Sequence, residues 1–110
     1  MTPVCRTDEI AEGQARGFLI GEGSARRDVI LLRCSGALRV YVNSCPHQGS
    51  PLETFPDRFL SHDGSLLICS THGARFRVDD GYCVSGPCEG KSLRALAFVI
   101  IDGAVAIESG

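Results

Sequence analysis

Two short motifs limit most strongly what this chain can fold into: Cys45-Pro46-His47-Gln48-Gly49 and Cys69-Ser70-Thr71-His72-Gly73. Each sets a soft thiolate close to an imidazole and follows the pair with glycine, and 21 residues separate His47 from Cys69. Two cysteines and two histidines converging on one site suit either zinc or a mixed-ligand iron–sulfur cluster. In both cases two loops distant in sequence must meet, so the rest of the chain has to build a frame that presents them together. A mononuclear zinc would gather all four groups around one ion. A binuclear cluster can take one residue type on each iron, so that each loop gives one ligand to each metal. A zinc finger also wants a helix carrying its histidines, and neither His47 nor His72 sits in a helical pattern.

The frame reads as β structure. Short apolar or alternating runs recur at 17–20, 29–34, 38–42, 66–69, 75–78, 93–101 and 104–108, while helical periodicity is weak throughout. Turn residues fall between them at Ser35-Gly36, Asp63-Gly64, Asp80-Gly81 and Asp102-Gly103. Such pairs signal hairpins, because glycine accepts the positive φ that tight turns need. The expected fold is all-β, an antiparallel sandwich or partly open barrel. At 110 residues the chain fits one domain. The stretch from Asn43 to Lys91 holds four of the six cysteines, all three histidines and four of the five prolines. This asymmetry predicts a base built from 1–42 and 92–110, with a loop-rich, cluster-binding subdomain inserted at 43–91.

A net charge of −2 excludes a broadly basic nucleic-acid surface. The N-terminus has neither a basic region nor a long apolar core of an export signal, and the longest apolar run, Ala95 to Ile101, is far too short to cross a bilayer. A cytoplasmic protein with no membrane contact is expected. In that setting six cysteines point to metal binding before disulfides.

The C-x-H and C-x-x-H pair resembles the signature of the Rieske [2Fe–2S] family. The resemblance continues through Gly73-Ala74-Arg75-Phe76, Gly81-Tyr82-Cys83-Val84 and Ser85-Gly86-Pro87-Cys88, and covers about 43–91. The gap between the motifs is longer than in small Rieske ferredoxins, with the extra material at 60–66. The resemblance implies one [2Fe–2S] cluster held by Cys45, His47, Cys69 and His72. Cys45 and Cys69 would bind one iron, and His47 and His72 the iron that becomes ferrous on reduction. Gly86-Pro87 resembles the proline loop that covers the cluster. High-potential members carry hydroxyl donors where this chain has Ala74 and Phe76, and a disulfide where it has Gly49 and Ser70 or Thr71. The low-potential end of the family is therefore expected. Exchanging two thiolates for imidazoles by itself moves the range from about −400 mV to between about −150 and +300 mV.

A Rieske oxygenase needs a second iron on two histidines and a carboxylate. With two of three histidines committed, only His62 remains, so no such triad can be assembled from this chain. The implied role is a ferredoxin, not itself an enzyme, that passes single electrons from a reductase to a terminal oxygenase or similar acceptor. Its partner would dock over His47, His72 and a rim of Gln48, Gly49, Gly73 and Pro87. Two other readings are an accessory subunit resembling the small Rieske-like subunit of nitrite reductases, and a zinc-stabilised interaction module. His62 reads as a solvated loop residue. Cys83 and Cys88 have a spacing that allows a disulfide, but they read as small packing residues near the cluster. Cys34 reads as a strand packing residue and Cys5 as part of a frayed terminus. Gly21-Glu22-Gly23 begins like a dinucleotide fingerprint, but its sixth position is Arg26 and a strand pattern follows where a helix is required.

Overall fold

The computed structural model describes residues 2–20, 27–34, 36–44, 52, 59–61, 66–69 and 73–107. Among these residues nine strands follow in order: β1 (Thr2–Arg6), β2 (Ala15–Ile20), β3 (Arg27–Cys34), β4 (Ala37–Val42), β5 (Leu66–Ile68), β6 (Arg75–Arg77), β7 (Cys83–Ser85), β8 (Phe98–Ile101) and β9 (Ala104–Ile107). A single 3₁₀ turn, Thr7–Glu9, is the helical structure among the described residues. The strands form three antiparallel sheets of three, ordered β1-β9-β8, β2-β3-β4 and β5-β6-β7. The all-β antiparallel expectation holds.

β3 explains how the sheets stack. Val29-Ile30-Leu31-Leu32 is an unbroken apolar run, and all four residues are buried. Neighbouring strand residues face opposite ways, so such a run belongs to a strand covered on both faces. Ile30 and Leu32 pack with Leu67, Cys69, Ala74, Phe76 and Cys83 of the β5-β6-β7 side. Val29 and Leu31 pack with Val105 and Ile107 of β9. The β2-β3-β4 sheet is thus a middle layer between two cores.

The turn chemistry is realised where it is described. At the β8–β9 hairpin both Asp102 (φ 52°) and Gly103 (φ 78°) take positive φ, the type I′ pattern that matches strand twist. Asp63-Gly64 lies outside the described residues, but its flanks pair: Leu60 bridges Leu67, and the Ser61 N–H donates to the Leu66 carbonyl at 2.8 Å. A strand follows the Gly21–Arg26 stretch, as the rejection of a dinucleotide site requires.

Three expectations change. Cys5 does not sit in a frayed terminus: it lies on β1, opposite Val105 of β9, and is half-buried against the second core. β9 needs a neighbour on each edge, and the chain start supplies one. The 93–101 run is not one strand, since only Phe98–Ile101 pairs with β9. Its first half instead straps the middle sheet to the Gly81 turn, with Val42 N–H on the Arg94 carbonyl (2.8 Å), Leu96 N–H on the Val40 carbonyl (2.9 Å) and Leu93 N–H on the Gly81 carbonyl (2.9 Å). β7, like β1, has no counterpart among the expected runs.

Candidate metal centre

Of the four expected ligands, Cys69 is described, while Cys45, His47 and His72 lie outside the described residues, as does His62. Cys69 is fully buried and directly follows β5. Its N–H donates to the Ala74 carbonyl at 2.8 Å, and the Gly73 N–H donates back to the Cys69 carbonyl at 2.8 Å. Beyond Ala74 the register continues as Ile68 opposite Arg75. Residues 69–74 are therefore a connection closed at its base, with Gly73 at φ 72° allowing the return.

The first motif is closed in another way. Asn43, the buried polar residue at the end of β4, accepts the Leu52 N–H on its side-chain Oδ1 at 2.8 Å. Its own N–H donates to the carbonyl of Asp28 on β3 at 2.9 Å. Asn43 and Leu52 thus bracket the segment that contains Cys45 and His47. Sequence reasoning missed Asn43. The available signal was an amide two residues before Cys45, at the end of an apolar strand, since a buried amide of this kind is held by partners.

The third piece is the turn after β7. Cys83 N–H bonds the Lys91 carbonyl (2.8 Å) and Lys91 N–H the Cys88 carbonyl (2.9 Å), which folds 84–90 back on itself. Its tip presses on Ala74, the residue after the second motif: a Cβ built on Gly86 would lie 2.6 Å from the Ala74 Cα. Gly73, Gly86 and Pro87 are exposed, and Ala74 is buried beneath them. Ala74 and Phe76, both fully buried, bring no hydroxyl to this region. Cys83 and Cys88 are buried too, in keeping with packing residues, and the five described cysteines are all thiols. Cys34 packs on a strand as expected.

Tyr41 of β4 ties the middle sheet to this unit. Its hydroxyl donates to the Val78 carbonyl at 2.9 Å, and its ring would meet a Gly81 Cβ at 2.9 Å. Burial pushes the Tyr41 hydroxyl up to about 12. At the β6–β7 turn the Arg77 Nε donates to Asp80 Oδ1 at 3.0 Å, with a second bond from Nη2 to Oδ2. These bonds, and then the Tyr82 N–H, hold the exposed Asp80 carboxyl below its ordinary range.

Among the described residues no three metal-donor side chains come together. What is described fits a sulfur-ligated cluster: a buried thiol at the base of a tightly closed connection, capped by a glycine turn in backbone contact. In a comparison with family models, the Rieske [2Fe-2S] domain matches residues 1–101. The ferredoxin component of an alkene monooxygenase system from Xanthobacter autotrophicus is 33% identical over 78 residues, 71% of this chain and 57% of that protein. The chain thus spans little more than half the length of that relative. The ferredoxin component of a p-cumate 2,3-dioxygenase system from Pseudomonas putida is 28% identical over 112 residues, 97% of this chain and 84% of that one. The solved ferredoxin of Sphingomonas yanoikuyae B1 superposes with a TM-score of 0.72 at 20% identity, covering 98% of this chain and 97% of its own.

Proposed function

Because this chain belongs to the Rieske [2Fe–2S] domain family, we propose that it is a one-electron carrier, the ferredoxin component that links a reductase to a terminal oxygenase or similar acceptor. The observation that carries this reading is the family match across 1–101 together with all four cluster-ligand positions in the sequence. The names of the two related ferredoxin components support it. When bound, the [2Fe–2S] cluster accepts and returns one electron.

The chain's own residues hold that group and limit its surroundings. Cys45 and Cys69 are assigned to one iron, and His47 and His72 to the other. Burial of Cys69 keeps water from the sulfur side. The exposed rim of Gly73, Gly86 and Pro87 offers a contact surface, and weak redox encounters need only a small one. The partner docks there, over His47 and His72, with Gln48 and Gly49 completing the rim. Residues 43–91 form the cluster-binding subdomain on a base of 1–42 and 92–110. Among the described residues no helix is long and apolar enough to cross a membrane. A cytoplasmic location accords with reading the six cysteines as cluster ligands and packing residues and not as a disulfide framework. The apolar Ala74 and Phe76 support a midpoint potential at the low end of the family, below about 0 mV.

The purified protein is expected to contain iron and acid-labile sulfide in equal amounts and to take up one electron per chain in a reductive titration. His72→Ala and Cys69→Ala should lose the visible absorption, whereas His62→Ala should keep it. A colourless protein containing zinc overturns the reading. Colour loss in His62→Ala overturns the ligand assignment, and a midpoint far above 0 mV overturns the low-potential reading.

A further inference from the structure

We propose that Cys83 and Cys88 are an oxidisable dithiol, a modification site that a hydroperoxide converts to a disulfide. Two buried cysteines in a core often do no more than fill space. Here the two Sγ atoms lie 3.3 Å apart, with the Cys88 thiol directed at the Cys83 sulfur and the Cys83 thiol donating to the Ser85 carbonyl at 3.1 Å. A disulfide requires a sulfur–sulfur distance of about 2.05 Å, so the pair needs to close by little more than an ångström. Ordering the intervening chain is normally the larger obstacle to such closure. The fold has already ordered it: Gly90 N–H bonds the Cys83 carbonyl (3.2 Å), Lys91 N–H the Cys88 carbonyl (2.9 Å) and Glu89 N–H the Gly86 carbonyl (3.2 Å). Cys88 is the outer member, slightly accessible and flanked by exposed Pro87 and Glu89, while Cys83 is fully buried.

The chemistry follows that order. The Cys88 sulfur attacks one peroxide oxygen, the O–O bond breaks, and the departing hydroxide takes the thiol proton and leaves as water. Cys88 is now a sulfenic acid. The Cys83 sulfur then displaces the hydroxyl group, which leaves as a second water with the Cys83 proton, and the S–S bond forms. Two thiols lose two electrons and two protons, and one hydroperoxide is reduced to two waters (one water and an alcohol for an alkyl hydroperoxide). The product ties the two ends of the turn whose tip, Gly86, lies against Ala74.

Trypsin supplies a clean readout, because cleavage after Arg77 and Lys91 releases Val78–Lys91, which contains both cysteines and no others. The holoprotein is treated with one equivalent of hydrogen peroxide, denatured, alkylated with iodoacetamide and digested. The expected peptide carries no alkyl group, is lighter than the dithiol form by two hydrogens, and takes two alkyl groups after dithiothreitol. In Cys83→Ser holoprotein, the Cys88 sulfenic acid should be trapped by dimedone. The proposal is overturned if the peptide stays fully alkylated while the half-buried Cys5 or Cys34 is oxidised. Addition of oxygen to a single sulfur without a disulfide also overturns it, as does the absence of a dimedone adduct on Cys88.

Discussion

Gly86 and Gly73 both hold positive φ, but only at Gly86 would a side chain also meet backbone. At Gly73 (φ 72°) a Cβ would meet nothing within 4 Å, so Gly73→Ala brings backbone strain alone, about 1–2 kcal/mol. At Gly86 (φ 102°) the new Cβ would lie 2.6 Å from the Ala74 Cα, a main-chain atom that cannot rotate aside. Strain and overpacking then add, and Gly86→Ala should lose about 2–5 kcal/mol. Urea unfolding of the two holoproteins measures the difference; equal losses would mean that the turn is not pressed on Ala74. Asn43 belongs to the same scale. Its one side-chain oxygen closes the segment around Cys45 and His47, a role no spacing rule reveals because its partner is a backbone N–H nine positions away.

Between elements, Tyr41 carries the most specific link, from β4 to the β6–β7 turn. Burial raises its hydroxyl first; Arg39 opposes that shift, and Asp80, Cys34 and Asp79 add to it. A folded value near 12 against about 10 in the unfolded chain means that the folded state keeps the proton longer. Its contribution is therefore complete below pH 10 and is lost as pH rises from 10 toward 12. Tyr41→Phe should lose about 1 kcal/mol at neutral pH and show a flatter decline than wild type above pH 10. Unfolding at pH 8, 10 and 11 checks this, and parallel profiles would assign the titration elsewhere. β4 itself was legible from its run at 38–42, and so were the hairpin turns at Asp80-Gly81 and Asp102-Gly103. The strap at 92–96 was not, because its apolar residues continue into β8 and periodicity cannot see where hydrogen bonds change partner. β1 was missed because nothing local marks an end strand; what fixes it is the exposed edge of β9, remote in sequence.

Over the whole molecule, the two-sided burial of β3 separates stability from the metal centre. The run Val29-Ile30-Leu31-Leu32 could be read as a strand, but which neighbour takes each face depends on the order of the sheets, which no local pattern encodes. The C-x-H and C-x-x-H motifs made the family readable, whereas the frame that brings them together is set by side chains such as Leu31 and Leu32. Leu32 shares its core with Cys69, Ala74 and Phe76, and Leu31 packs toward Val105 and Ile107. Leu31→Ala and Leu32→Ala each remove a fully buried side chain and should each lose about 2–5 kcal/mol in urea unfolding. They should differ at the cluster. Under conditions where both remain folded, Leu32→Ala leaves its void beside the closed 69–74 connection, so it should shift the visible spectrum and hasten iron release to a chelator. Leu31→Ala opens its void on the far side of the middle sheet and should leave both unchanged. If the two variants release iron equally fast, the layers are coupled through β3 and the cluster-binding side is not mechanically separate from its base.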